Sequence, residues 1–390
     1  MRPGMPVYLD CQATTPLDPL VRTAMAPFFG EQFGNPHSAD HAFGWEAAAA
    51  VREARASVAQ FINADDDEIV FTSGATEACN LALQGTANSV GPQGRNRIVT
   101  VATEHPAVLD TVLRLERIGF EAVIVPVHSD GLVDIAALER VIDRRTLIVS
   151  VMAANNEIGV MQPLREISAL CRTSGALFHT DAAQAAGRVP IDADAWGADL
   201  LSLSAHKMYG PKGVGALFVR EGVSLQPIFG GGEQEYGLRS GTLAPALVAG
   251  FGKACELFVN QDCLDSERLF GLAALLLHRL RQACPQLRLF GHAERRVPGS
   301  LSVGFPGIPA QQIIRDISGR VAVSTGAACS SSKSEPSRVL QALGLDQETA
   351  ATAIRISVGR FTTEEEIEIA ANAFEEAVFR AYQARSAHAA

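Results

Sequence analysis

The segment Asp199-Leu200-Leu201-Ser202-Leu203-Ser204-Ala205-His206-Lys207-Met208-Tyr209-Gly210 passes from an apolar, strand-like run directly into a polar loop that continues through Gly213 and Gly215. A short apolar run of this kind is what a strand buried on both faces looks like, and such strands belong to sheets covered by helices on either side. Outward from this junction the same rhythm repeats. β-Branched runs occur at Ile69-Val70-Phe71, Ile98-Val99-Thr100-Val101, Ala122-Val123-Ile124-Val125, Leu147-Ile148-Val149-Ser150-Val151, Ala176-Leu177-Phe178-His179 and Ala216-Leu217-Phe218-Val219. Most are separated by amphipathic stretches of helix length. The pattern predicts an α/β domain with a mainly parallel seven-stranded sheet and helices on both faces.

The flanks complete the picture. An alanine-rich periodic stretch, Phe43 to Phe61, reads as a long helix, and a second helix is expected from Ala246 to Phe258. Beyond a polar break near Asn260 the composition changes. A helix at Arg268 to Gln282, short strands at Leu301-Ser302-Val303, Val321-Ala322-Val323 and Ile354 to Val358, and a closing helix from Thr363 to about Arg385 suggest a smaller α+β domain. The N-terminal piece has too little core of its own and is expected to pack against this part. The expected division is therefore a large domain over 15–258, and a small one from 1–14 together with 259–390.

Composition narrows the function. With 47% apolar and 19% charged residues a large core is expected and disorder is not. A formal charge of -10, with no long Lys/Arg run, argues against nucleic acid as a standing partner. Met1 to Asp10 lacks the apolar core of a signal peptide, and the longest apolar run, Leu269 to Leu277, is about half a membrane span. A cytoplasmic protein without a membrane partner is the expectation. The seven cysteines form no C-x-x-C pair and no zinc-like spacing, so no metal site is expected.

The polar clusters follow strand ends, where ligands collect in parallel sheets. Ser73-Gly74-Ala75-Thr76 stands between a strand and a helix; small residues there admit an anion to the helix N-terminus, or else serve as a plain cap. Asp181 follows a buried strand, where a carboxylate needs a cationic partner, either a ring nitrogen or an ordinary salt bridge. His105 and His206 are candidates for either a site or a satisfied core. Lys207, at the end of an apolar strand, sits where an amine becomes a nucleophile. An anion-binding turn, a strand-end aspartate, an imidazole and a strand-end lysine in one half of a chain converge on one cofactor, pyridoxal 5'-phosphate.

The sequence also resembles the pyridoxal-phosphate cysteine desulfurases of the NifS/IscS type, long-loop group, within fold type I. The resemblance runs from about Val7 to Phe374. It is carried by Leu9-Asp10 with Ala13-Thr14-Thr15-Pro16, Thr72-Ser73-Gly74-Ala75-Thr76-Glu77, Thr103-Glu104-His105, Asn155-Asn156-Glu157-Ile158-Gly159, Ser204-Ala205-His206-Lys207, Leu238-Arg239-Ser240-Gly241-Thr242, Gly326-Ala327-Ala328-Cys329-Ser330 and Ile354-Arg355-Ile356-Ser357. The resemblance implies that Lys207 is the Schiff-base lysine, Asp181 the partner of the pyridine nitrogen, His105 the stacking imidazole and Gln184 the partner of the phenolic oxygen. It places Ala75, Thr76, Ser204 and His206 at the phosphate, with Thr242 added from the other subunit of a homodimer. Asn156 belongs to the same shell and, with Arg355, would hold the substrate carboxylate. An arginine inside an otherwise apolar strand needs an anion in any case.

Cys329 lies in a small-residue loop, Ser324 to Pro336, suited to carry a thiol into the site and out again. The resemblance makes it the nucleophile that takes sulfur from L-cysteine as a persulfide, releasing L-alanine. The sulfur then passes to an acceptor protein such as an iron-sulfur scaffold. A selenocysteine lyase or another fold type I enzyme is the alternative, in which Cys329 would be dispensable or would serve only to discriminate substrates. Cys11 and Gln12 depart from the family, in which Tyr-Ser or His-Ala is frequent, as do Glu233 and Tyr236 before Leu238.

Overall fold

The computed structural model describes residues 4–260, 265–326 and 337–389. After a two-residue strand β1 (Val7–Tyr8), the chain builds β2 (Ile69–Thr72), β3 (Arg97–Val101), β4 (Glu121–Val125), β5 (Thr146–Ser150), β6 (Leu177–Asp181), β7 (Leu200–Ser204) and β8 (Gly215–Val219). These last seven form one sheet in the order β2-β8-β7-β6-β5-β3-β4. Side chains alternate between two apolar layers. Val99, Val149, Phe178, Leu201 and Phe218 face the helices Ala42–Ile62, Leu164–Ser174 and Pro245–Asn260. Ile98, Ile148, Leu200 and Leu217 face the helices Ala75–Val90 and Pro106–Glu116. Because both faces are covered, every residue of β5 and β7 is buried, which is why these strands read as continuous apolar runs.

One strand breaks the parallel order. β8 runs antiparallel to both β7 and β2, whereas the remaining neighbours are parallel. The loop from Ser204 to Gly215 is too short for a helical crossover, so the chain turns back instead. All the other strands end on one edge, and there the polar clusters gather.

The C-terminal part has a second core. It contains β9 (Arg288–Leu289), β10 (Ser300–Gly304), β11 (Val321–Ala322) and β12 (Ala353–Ser357), with an antiparallel sheet in the order β12-β10-β9. β1 pairs in parallel with β11, and Val7 and Leu9 pack among Val303, Phe305, Ile354, Ile356 and Phe374. Helices Asp265–Ala283, Ala310–Ile317 and Glu364–Ala389 cover it. From there the N-terminal chain crosses to the lysine loop. Ser357 N donates to Leu9 O at 2.7 Å, and Thr15 N donates to His206 O at 2.9 Å. Residues 9–15 therefore tie the second core to the strand end that carries Lys207.

Candidate active site

At the sheet edge lies a cavity of about 460 Å³ whose walls come from both parts of the chain. The large sheet contributes Ala75 and Thr76 after β2, His105 after β3, Asn156 after β5, Asp181 and Gln184 at and after β6, and Ser204, His206 and Lys207 at and after β7. The opposite wall is made of Gln12, Ala13, Gly326 and Arg355. Ten of the predicted site residues thus meet in one space. Thr242 is exposed and lies outside this wall, and Cys329 lies outside the described residues.

The end of the cavity at Ala75 is built to hold an anion. Gly74 has φ +147° and ψ 178°, a conformation open to glycine, and no side chain caps the helix that follows. Ser73 does not act as the cap; its N–H donates to Glu77 Oε2 at 2.7 Å. The first-turn N–H groups of a sixteen-residue helix are therefore left for a ligand. β8 approaches Gly74 closely. A Cβ on Gly215 would stand 2.7 Å from Gly74 Cα, so only glycine lets the two chains meet here. Burial, with Lys207 and Lys212 nearby, pushes His206 down to about 4; it is neutral at pH 7 and accepts or donates one hydrogen bond. Its Nδ1 lies 3.0 Å from Thr14 Oγ1.

At the other end of the ring-sized space, Asp181 is 7% exposed. Burial is the largest influence on it and raises its carboxyl above the usual range, against the hydrogen bond from Ala183 N and the positive pull of His105 and Lys207. Beside it Glu104 is fully buried, and burial and Asp181 together hold it well above the normal carboxylate range. A buried carboxyl in this condition is completed by a cationic partner. His105 caps the helix Pro106–Glu116, accepting from Ala107 N at its Nδ1 (3.1 Å). That bond fixes the tautomer with hydrogen on Nε2, and burial and Lys207 favour the neutral ring against Asp181.

Lys207 Nζ donates to Gln12 O at 2.7 Å and to Ala13 O at 2.8 Å, while Gln184 Nε2 donates to Gln12 O at 3.0 Å. Arg355 is buried and already has an anion: its NH2 lies 2.6 Å from Asp10 Oδ1. Its NH1 donates to Asn156 O at 2.8 Å and to Gly326 O at 3.3 Å. The strand arginine's need for a counter-charge is thus met within the chain. Residue-by-residue reasoning gave no role to Gln12, which lines the wall, or to Asp10 and Glu104, which stand behind it against Arg355 and Asp181, although Leu9-Asp10 and Thr103-Glu104-His105 both signalled their neighbourhood. The uncapped helix, the buried Asp181 and the lysine fit the phosphate, ring nitrogen and aldehyde carbon of pyridoxal phosphate.

Comparison with known proteins agrees with this geometry. The family model for "Aminotransferase class-V" matches residues 7–369. The chain belongs to this family. It is 48% identical over 376 residues to a mitochondrial cysteine desulfurase of Arthroderma benhamiae, covering 96% of this chain and 74% of that protein. Over 368 residues it is 47% identical to the cysteine desulfurase IscS of Rickettsia bellii, covering 94% and 89%. Among solved structures a NifS-like protein superposes with a TM-score of 0.89 at 36% identity, covering 95% of this chain and 99% of that one. SspA in complex with cysteine gives 0.80 at 33%, covering 91% and 99%. As a member of the cysteine desulfurase branch of the family, the chain is a pyridoxal-phosphate-dependent enzyme of fold type I.

Proposed function

We propose that this enzyme converts L-cysteine to L-alanine and transfers the sulfur, through a persulfide on Cys329, to an acceptor protein. The observation that supports it most is the meeting of Lys207, Asp181, His105 and Arg355 in one cavity that ends at an uncapped helix N-terminus. When bound, pyridoxal phosphate supplies an electron sink for bonds at the substrate carbon. Asp181 holds a proton at the ring nitrogen, and Gln184 donates to the phenolic oxygen. The Ala75–Thr76 turn, Ser204 and His206 hold the phosphate. Arg355 and Asn156 orient the amino acid by its carboxylate. Lys207 is the amine that moves a proton at the substrate α-carbon, and neutral His105 carries a proton on the cavity side.

At Cys329 the thiolate attacks the substrate sulfur. A sulfur-sulfur bond forms, the carbon-sulfur bond breaks, and its electron pair stays with the carbon skeleton, which takes up a proton and leaves as alanine. An acceptor thiol then removes the outer sulfur and leaves Cys329 as a thiolate.

The working unit in this reading is a homodimer in which Thr242 reaches the partner's phosphate site. Exposed Phe29, Phe33, Phe43 and Trp45 support it, being large apolar groups that a lone subunit leaves in water. The same reading divides the chain into 15–258 and 1–14 with 259–390, and places the enzyme in the cytoplasm with an iron-sulfur scaffold as acceptor. Among the described residues no helix is long and apolar enough to cross a membrane, and no cluster suited to a metal occurs.

The test is a short exposure of the purified protein to L-cysteine without reductant. Alanine is expected in solution together with one added sulfur on the peptide carrying Cys329, and Cys329→Ser is expected to bind L-cysteine but release neither product. Full activity in that variant would assign the chemistry to direct elimination and overturn the proposal.

A further inference from the structure

The turn proposed to receive the cofactor phosphate contains a carboxylate that works against it. Glu77, in the first turn of the helix Ala75–Val90, lines the cavity together with Ser73, Gly74, Ala75 and Thr76. Its side chain folds back so that Oε2 accepts from Ser73 N at 2.7 Å, half of a capping box in which Gly74 has no side chain to return the bond. Burial pushes the Glu77 carboxyl up, but the bonds from Arg239 and Ser73 outweigh it and hold it below the usual range, so it is ionised at pH 7. With its side chain 8% exposed, water screens that charge weakly, and a phosphate dianion at the same turn meets it as a like charge.

Arg239 supplies what the turn lacks. Its Nε donates to Glu77 Oε1 at 2.8 Å, and its NH2 lies 3.5 Å from Oε2. The arginine reaches across from a separate loop, and that loop is fastened on the other side of the turn as well. Glu235, earlier in the loop and buried, accepts from Arg55 NH2 at 2.6 Å and from Phe71 N at 2.6 Å. Phe71 belongs to β2 and Glu77 to the helix after it, so one loop grips the strand, turn and helix on both sides of Gly74. The guanidinium is therefore positioned by the fold and not by the ligand.

Resting on the placement of the phosphate at Ala75–Thr76, Ser204 and His206, we propose that Arg239 is a positioning residue for the cofactor: by cancelling the charge of Glu77 and keeping that carboxylate turned to Ser73 N–H, it makes the turn accept a phosphate dianion. Arg239 does not line the cavity and acts through Glu77.

The test is equilibrium dialysis of the full chain against pyridoxal 5'-phosphate and against pyridoxal, which lacks the phosphate, with the Kd of each as the readout. Arg239→Ala is expected to raise the Kd for pyridoxal 5'-phosphate about thirtyfold and to leave that for pyridoxal within about twofold. Arg239→Gln, which keeps most of the volume but not the charge, should show the same loss. Glu77→Gln keeps an acceptor for Ser73 N–H without the charge, so it should match the wild type within about threefold, and combining it with Arg239→Ala should recover most of the loss. A double variant as weak as Arg239→Ala, or equal losses for the two compounds, would show that Arg239 merely packs the loop and would overturn the proposal. Ser204→Ala separates the proposal from the placement beneath it. If that variant weakens pyridoxal 5'-phosphate alone while Arg239→Ala weakens neither compound, the phosphate stays where it is placed and the role of Arg239 fails. If both variants leave the preference for pyridoxal 5'-phosphate over pyridoxal unchanged, the phosphate lies elsewhere and both assignments fall.

Discussion

In the proposed mechanism Lys207 works through one atom, its Nζ, which two backbone carbonyls from the far wall of the cavity hold, Gln12 O and Ala13 O. Its removal opens little core volume, so Lys207→Ala is expected to keep the fold and lose all turnover. Borohydride treatment of the wild type should fix the cofactor to the peptide containing Lys207; label on any other lysine would rule the assignment out. At Arg355 the ion pair with Asp10 sets the expected magnitude. Without the guanidinium, the Asp10 carboxylate, 2.6 Å from it, loses its counter-charge beside the cavity. The loss then combines a missing charge-assisted bond with a new repulsion, and Arg355→Ala should weaken L-cysteine binding about a hundredfold or more. Asp10→Asn with Arg355→Ala should recover part of that loss, because the repulsion disappears. A double variant no better than the single one would show that Asp10 is not felt at the substrate.

Elements were legible in the sequence where burial imposed a pattern. The seven β-branched runs coincide with β2 to β8 to within a residue or two, because a strand buried on both faces tolerates little else. β9, two residues long, and the helix Ala310–Ile317 escaped, since neither is long enough to set up a period of its own. The antiparallel course of β8 was equally hidden; it follows from loop length, not from composition. Within the sheet, β6 carries a consequence for pH. His179 is fully buried between Ser150 Oγ (2.8 Å) and Ser202 Oγ (2.9 Å), and burial pushes it down to about 3. An unfolded histidine titrates near 6.5, so the unfolded chain binds the proton first, and stability falls as pH drops from about 6.5 toward 3. The penalty is on the order of 4 kcal/mol at the acid end. Buried Glu104 and Asp181, whose carboxyls are raised, act in the opposite sense and gain stability on protonation. Replacing His179 by Gln, which keeps a hydrogen-bonding side chain without the titration, should therefore flatten the fall of Tm between pH 6.5 and 4. An unaltered slope would place the acid sensitivity elsewhere.

The whole molecule raises the question of what covers its aromatic surface. Phe29 and Phe33 are each 70% exposed, and Phe43 and Trp45 are more than half exposed. The rings of Phe33 and Phe43 stack with centroids 5.3 Å apart, so the patch is ordered and not merely a scatter of apolar side chains. Leaving several such rings in water forgoes about 1.5 to 3 kcal/mol each, which is the usual mark of an interface. Thr242 points to the same conclusion. It resembles a phosphate ligand in sequence but lies exposed, outside the cavity of its own chain. If a second copy covers the aromatic surface and brings its Thr242 to the phosphate, assembly and cofactor retention must be linked. Phe33→Asp with Trp45→Asp should then sediment as a species near the chain mass of 41.4 kDa and release pyridoxal phosphate on dilution. Thr242→Ala should stay dimeric and show only the second defect, losing roughly tenfold in cofactor affinity, as for one charge-assisted hydrogen bond. A monomeric variant that keeps its cofactor as tightly as the wild type would separate the two properties and leave each subunit with a complete site of its own.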